Sequence, residues 1–190
     1  MKLLVGLGNP EAKYFNTRHN IGYKFIDAMN ENLKTKYKRK PGANSEKFLQ
    51  SIIWDYSPFA CLAKPLKYMN DSGISVKKLV DAYKLDLKDL YIVHDDLDIA
   101  LGEYKIQFGK GPKVHNGIQS IIDELGTDQF GRIRIGIENR QALSEQSESK
   151  GRIPGDKYVL QDFTADEKPV INWTIQKLIH DEFFESLRYA

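Results

Sequence analysis

Several absences in this 190-residue chain each remove a class of protein. With Cys61 as the one cysteine, no internal disulfide can form, so a disulfide-stapled secreted scaffold is excluded. No apolar run approaches the roughly 18 residues a membrane span needs. Lys2 is followed at once by the short run Leu3 to Leu7, with no small-residue cleavage site after it, which is too little for a secretory signal. No Gly-x-Ser-x-Gly elbow announces a serine nucleophile. Charge of one sign is lacking too: the net charge is only +2, which does not by itself point to nucleic acid. These absences together predict a cytoplasmic protein.

With 41% hydrophobic and 28% charged residues, the chain has the composition of an ordinary globular domain, long enough for a sizeable core. No repeat or low-complexity linker divides it, so residues 1–190 are expected to form a single domain. Strand-like and helical segments interleave throughout. Lys2 to Leu7 reads as a strand. Ile21, Phe25, Ala28, Met29 and Leu33 recur at helical spacing, with Asn20 placed as N-cap. Phe48 to Trp54 and Phe59 to Ala63 read as a hairpin about Tyr56-Ser57-Pro58. Asp71-Ser72 opens a helix carrying Ile74, Leu79, Val80 and Tyr83.

Leu90 to Val93 reads as a short buried strand ending in His94-Asp95-Asp96-Leu97-Asp98, and Glu103 to Phe108 as another strand. Ile118, Ile121, Ile122 and Leu125 mark a helix that Gly126 stops. Arg132 to Ile137 alternates like a half-buried strand. Gln141 to Lys157 reads as a polar surface loop, and Tyr158 to Leu160 as an extended edge. Thr164-x-x-Glu167 is a capping box opening a helix with Val170, Trp173, Leu178, Ile179 and Phe183. The whole predicts an α/β three-layer sandwich, a mixed twisted sheet flanked by helices.

Polar clusters recur at the ends of the strand-like runs: Asn9 with His19, Tyr68-Met69-Asn70, His94-Asp95, and His115-Asn116. In α/β domains ligands bind in the crevice at the carboxyl ends of the strands, so these clusters can converge on one site. A His held by an Asp is a general-base arrangement. Asn amides donate to a carbonyl or a developing oxyanion. Cys61 lies in an apolar run, where an inert buried thiol is the expectation. A base and amide donors without Ser or Cys imply that water is the attacking group.

Three other readings stand beside this one. Gly6-Leu-Gly8-Asn-Pro-Glu11 resembles the start of a dinucleotide fingerprint but lacks the third glycine. His94, Asp95, Asp96 and Asp98 could suggest a metal-dependent hydrolase, though the spacing matches neither a zinc nor a calcium pattern. Lys34, Lys36, Lys38, Arg39 and Lys40 form either a solvated loop or a phosphate-facing patch, the latter suiting an RNA-binding protein without catalysis.

Six motifs in order resemble the bacterial-type peptidyl-tRNA hydrolases over nearly the whole chain: Gly6-Leu-Gly-Asn-Pro10, Thr17-Arg-His-Asn20, Tyr68-Met-Asn-Asp-Ser-Gly73, His94-Asp-Asp-Leu-Asp98, His115-Asn-Gly117 and Arg132-Ile-Arg-Ile-Gly136. Glu11, Lys67 and the loop Lys110-Gly-Pro-Lys-Val114 depart from the usual pattern.

The resemblance implies metal-independent hydrolysis, with no cofactor, of the ester between a peptide and the 3′-terminal ribose of tRNA. It implies His19 as base, Asp95 as its orienting carboxylate and Asn9 as the residue distinguishing blocked from free aminoacyl groups. Tyr14, Tyr68, Asn70 and Asn116 would contact substrate, and Lys105 with Arg134 would clamp a tRNA phosphate. The expected partner is peptidyl-tRNA, with no membrane and no obligate protein partner, and the expected state is a monomer.

Overall fold

The computed structural model describes residues 1–38, 49–58, 60–141 and 153–186. Six strands form one sheet: β1 (Lys2–Gly6), β2 (Ser51–Tyr56), β3 (Ala60–Pro65), β4 (Leu90–Ala100), β5 (Tyr104–Phe108) and β6 (Gly131–Glu138), in the spatial order β2-β3-β1-β4-β6-β5. The four central strands run parallel, and β2 and β5 close the two edges antiparallel. The sheet is therefore mixed, as the hairpin predicted.

The helices are α1 (Ile21–Lys34), α2 (Ser72–Tyr83), α3 (Asn116–Leu125), α4 (Gly155–Val159), α5 (Glu167–Ile179) and α6 (Glu182–Ser186). Strand alternation divides the core in two. Leu4, Leu62, Val93, Ile133 and Ile135 meet Phe25, Ile26 and Met29 of α1 and Ile171 and Ile175 of α5. Leu3, Val5, Cys61 and Ile92 face the other way, onto Val76 and Leu79 of α2 and Ile118 and Ile121 of α3. Two apolar cores on opposite faces of one sheet make the three layers.

Glycine lets α1 lie close to the sheet. A Cβ on Gly6 would sit 2.2 Å from the Gly22 carbonyl oxygen, and one on Gly22 would sit 2.4 Å from the Val93 carbonyl oxygen. The turn between Leu7 and Ile21 is thereby held directly over β4.

Some expectations are corrected. β4 runs to Ala100, pairing with β6 as far as Asp96 and again at Ala100 beyond a bulge, so His94, Asp95 and Asp96 lie on the strand itself. Their polarity hid the strand from the hydrophobic pattern. β6 is not half-buried. It lies between β4 and β5, and seven of its eight residues are buried, Arg132 and Arg134 included. Tyr158 to Leu160 is no edge strand: Tyr158 and Val159 belong to α4, a distinction that so short an apolar run cannot make.

On α5 the capping box forms as read. The Thr164 N–H donates to Glu167 Oε2 at 2.9 Å, and the Glu167 N–H donates to Thr164 Oγ1 at 3.3 Å. Val170 and Trp173, however, face outward. Gly126 ends α3 at φ +70°, the left-handed turn that glycine adopts freely. Phe48, Phe59, Arg39, Lys40 and residues 142–152 of the expected loop lie outside the described residues.

Candidate active site

The chain passes from β1 through α1 to β3 on one side, then through α2 to β4 on the other. The strand order thus reverses between β1 and β4, and such a switch point opens a crevice at the carboxyl ends of the strands. Asn9 leaves β1 here, Tyr68 to Asn70 follow β3, Asp95 sits on β4 and His115 begins α3. Two hollows of about 230 and 360 Å³ share His19, Asn116, Asp156 and Val159 in their walls. The first adds Asp95, Leu97, Val114 and His115, and the second adds Asn9, Tyr14, Tyr68 and Asn70. All the residues expected at the reacting centre are therefore brought to one cleft.

His19 Nδ1 lies 2.8 Å from Asp95 Oδ1, and His115 Nε2 lies 3.1 Å from the same oxygen. The tautomers follow from the neighbours. His115 Nδ1 accepts from the Gly117 and Ile118 N–H groups at the start of α3, at 3.1 and 3.3 Å. Its proton is therefore on Nε2, which donates to Asp95. Burial opposes ionisation of Asp95, but the two imidazoles outweigh it and hold its carboxyl well below the usual carboxylate range. As a carboxylate, Asp95 draws the His19 proton to Nδ1 and leaves Nε2 as a lone-pair acceptor on the cleft side. Burial lowers the His19 pKa, yet the charge and hydrogen bond of Asp95 more than reverse this, and the net shift is upward.

Asn9 is fixed equally closely. Its backbone N–H donates to Asn20 Oδ1 and its carbonyl accepts from Asn20 Nδ2, both at 2.9 Å. Its own Oδ1 accepts from the Met69 N–H at 2.9 Å. The Asn9 amide can therefore offer only N–H donors to the cleft. Asn20 makes no side-chain cap on α1; its side chain is spent on Asn9 instead. The sequence pattern favoured a cap because the residue stands at a helix start. Its position beside His19 was the available signal for this second use.

Arg18 is another residue whose importance sequence reasoning missed. Its Nη2 meets Glu167 Oε2 at 2.5 Å, and both side chains are almost wholly buried. Nη1 donates to the Tyr158 and Gln161 carbonyls, at 3.4 and 3.2 Å, and the guanidinium lies 4.0 Å above the Tyr158 ring. The residue next to His19 thus ties the start of α5 and the whole of α4 to the cleft.

The remaining candidates are placed differently. His94 is fully buried, donates from Nδ1 to the Asp95 carbonyl at 2.7 Å and has no partner on Nε2. Burial, then the neighbouring His115, push its pKa well down, so it stays neutral and away from the cleft. Asp98 accepts from the Lys113 N–H at 3.3 Å. Lys105 and Arg134 are cross-strand partners on β5 and β6. Lys105 is exposed, whereas Arg134 is buried, its Nε on Asp96 at 2.7 Å and its Nη1 on Gln107 at 2.7 Å. Cys61 is buried, which pushes its thiol up to about 12, as expected of an inert sulfur.

Among the described residues, His19, Asp95 and His115 form the group whose donor atoms are close enough to share a metal ion, within 4.8 Å of one another. In the arrangement seen, both imidazoles direct a proton at Asp95 Oδ1, and a metal would have to displace those protons. His94 and Asp98, singled out from the sequence, are not part of this group.

This geometry puts an imidazole with a free ring nitrogen and the Asn9, Asn70 and Asn116 amides on one cleft, whose described lining holds no Ser, Thr or Cys, in a chain that also matches known proteins. A model of the family described as peptidyl-tRNA hydrolase matches residues 3–184. The peptidyl-tRNA hydrolase of Bacillus cereus (strain Q1) is 40% identical over 181 residues, covering 93% of this chain and 88% of that protein. That of Geobacillus thermodenitrificans is 41% identical over 178 residues, covering 90% and 85%. The crystal structure of the Acinetobacter baumannii peptidyl-tRNA hydrolase superposes with a TM-score of 0.75 at 30% identity, covering 93% of this chain and 83% of that one. Sequence and fold agree, and the chain belongs to the peptidyl-tRNA hydrolase family.

Proposed function

We propose that this cleft hydrolyses the ester between a peptide and the 3′-terminal ribose of tRNA, with water as nucleophile and His19 as its base. The observation that carries the reading is the 2.8 Å contact of His19 Nδ1 with the buried Asp95. It fixes the tautomer and leaves the other ring nitrogen to take a proton from water. The water oxygen then attacks the ester carbonyl carbon. Asn70, with Asn9, donates to the carbonyl oxygen as it gains charge. The proton held on His19 passes to the departing ribose oxygen, which frees the tRNA and the peptide acid.

Free aminoacyl-tRNA must be spared, and the Asn9 geometry supports a reason. Its amide offers only donors, which suit a peptide carbonyl and leave an α-ammonium with nothing to donate to. A site built to hydrogen-bond one group discriminates strongly against an analogue that leaves it unpaired. Tyr14, Tyr68 and Asn116 line the same cleft and are read as substrate contacts. Peptidyl-tRNA is made where translation occurs, which supports action in the cytoplasm. No helix among the described residues is long and apolar enough to cross a membrane.

The direct test is hydrolysis of an N-acetyl-aminoacyl-tRNA beside its unblocked form, with a chelator present. Cleavage of the blocked substrate alone is expected. Loss of activity to the chelator would instead favour a metal on His19, Asp95 and His115. Binding of tRNA without cleavage would favour the non-catalytic RNA-binding reading.

The tRNA backbone is read as meeting Lys105, the exposed ammonium beside Arg134. Arg134, by contrast, directs its Nε at Asp96 and its Nη1 at Gln107. Charge reversal in Lys105→Glu is expected to raise KM for full tRNA about tenfold while barely changing KM for a small nucleotide ester. Equal effects on both substrates would remove Lys105 from the phosphate contact.

A further inference from the structure

The walls of the cleft are almost uncharged. Asp95 is buried and satisfied by two imidazoles, and the other lining groups are amides, tyrosines and aliphatic side chains. Asp156 is the exception. It is exposed, borders both hollows, and makes no ion pair or side-chain hydrogen bond with any described residue.

Its placement follows from the helix. Asp156 and Val159 of α4, with Leu160 at its C-cap, fall at i, i+3 and i+4 and share the face that lines the second hollow. Tyr158 points the other way, fully buried, with its hydroxyl donating to the Ile137 carbonyl at 2.8 Å. Arg18 holds the Tyr158 and Gln161 carbonyls as well. The carboxylate is therefore carried on a helix anchored to the loop of the catalytic base.

We infer that Asp156 selects for the side chain of the amino acid esterified to the tRNA, favouring basic residues and disfavouring acidic ones. The inference rests on the hydrolase reading above. The ester carbonyl has to lie beside His19, and the side chain carried on the α-carbon next to that carbonyl then lies in the space His19 shares with Asp156 and Val159. A lysine side chain suits this wall: its methylene stem lies on Val159 and Leu160 while its ammonium reaches Asp156. A glutamate side chain brings like charge to the same place. Both substrate types remain substrates, because the carboxylate stays partly solvated and its interaction is correspondingly screened.

The test charges one tRNA body with Nα-acetyl-lysine, Nα-acetyl-norleucine or Nα-acetyl-glutamate, so that the RNA contribution is constant. The unmutated protein is expected to prefer lysine over glutamate in kcat/KM by roughly fivefold, expressed mainly in KM. The preference collapses in Asp156→Asn and inverts in Asp156→Lys. Added salt weakens it in the parent protein. Identical lysine-to-glutamate ratios in the parent and in Asp156→Asn would overturn the inference. So would an equal gain for all three substrates in Asp156→Asn, which would mean that the carboxylate only repels the RNA. If the parent protein cleaves none of the three, the hydrolase reading itself fails and takes this inference with it.

Discussion

Replacing His19 by Ala is expected to lower kcat by roughly 10³ to 10⁴-fold, the upper part of what a positioned general base supplies. On the proposed mechanism the substitution removes the ring nitrogen that takes the proton from water, and neither neighbouring histidine can replace it. His94 is buried with its Nδ1 on a carbonyl, and the Nε2 proton of His115 points at Asp95. The amide donors of Asn9 and Asn70 survive the change, so some carbonyl polarisation persists and activity falls without reaching zero. KM should move little, because the ester and ribose contacts remain. Single-turnover hydrolysis of a blocked aminoacyl-tRNA measures the effect, with tRNA binding as the folding control. Near-normal turnover in His19→Ala would end the assignment of the base.

Asp95→Asn tests how that base is tuned, and it carries a pH signature. In the native protein Asp95 raises the His19 pKa despite burial. The proposed mechanism requires neutral His19, so kcat/KM should rise with pH through an inflection above the ordinary histidine value of about 6.5. An asparagine removes the charge and leaves burial as the dominant influence. The inflection should then move below that value, while the plateau rate drops on the order of 10² to 10³-fold because the tautomer is no longer enforced. The two changes point in opposite directions at low pH, which separates them from general damage to the fold. A variant that lost rate but kept the inflection would show that Asp95 only holds the loop in place.

The layered architecture was legible because alternation and helical periodicity are local signals. Leu3, Val5 and Leu7 against Leu4, and Ile21, Phe25 and Met29 along α1, each record in a few residues which way a face points. Boundaries failed where chemistry overrode that pattern. β4 continues through His94-Asp95-Asp96 because the strand itself carries the site, and polar residues on a strand look like a loop. The sequence of β6 reads as half-buried because two arginines interrupt its isoleucines. In the structure those guanidiniums are buried against Asp96, Gln107, Gly111 and Asp128.

Within the site, the residue types and their order announced a base, a carboxylate and amide donors, and the resemblance named their roles. The connections between them did not follow from spacing. Asn20 looked like a helix cap but holds Asn9. Arg18 looked like one member of a motif but pairs with Glu167, distant in the chain and buried with it. His115 was one half of a His-Asn pair until its contact with Asp95 fixed its proton on Nε2.

By itself, then, the sequence determined the layers, the family resemblance and the inventory of reactive groups, since each of these is written in neighbouring residues. Only the tertiary structure decided which nitrogen of His19 is free, which atoms Asn9 presents, that Arg134 spends its charge internally, and that Asp156 stands on the cleft wall unpaired with any described residue. Those properties depend on contacts between groups far apart in the chain, and a hydrogen bond or an ion pair exists only once folding has set both its distance and its burial.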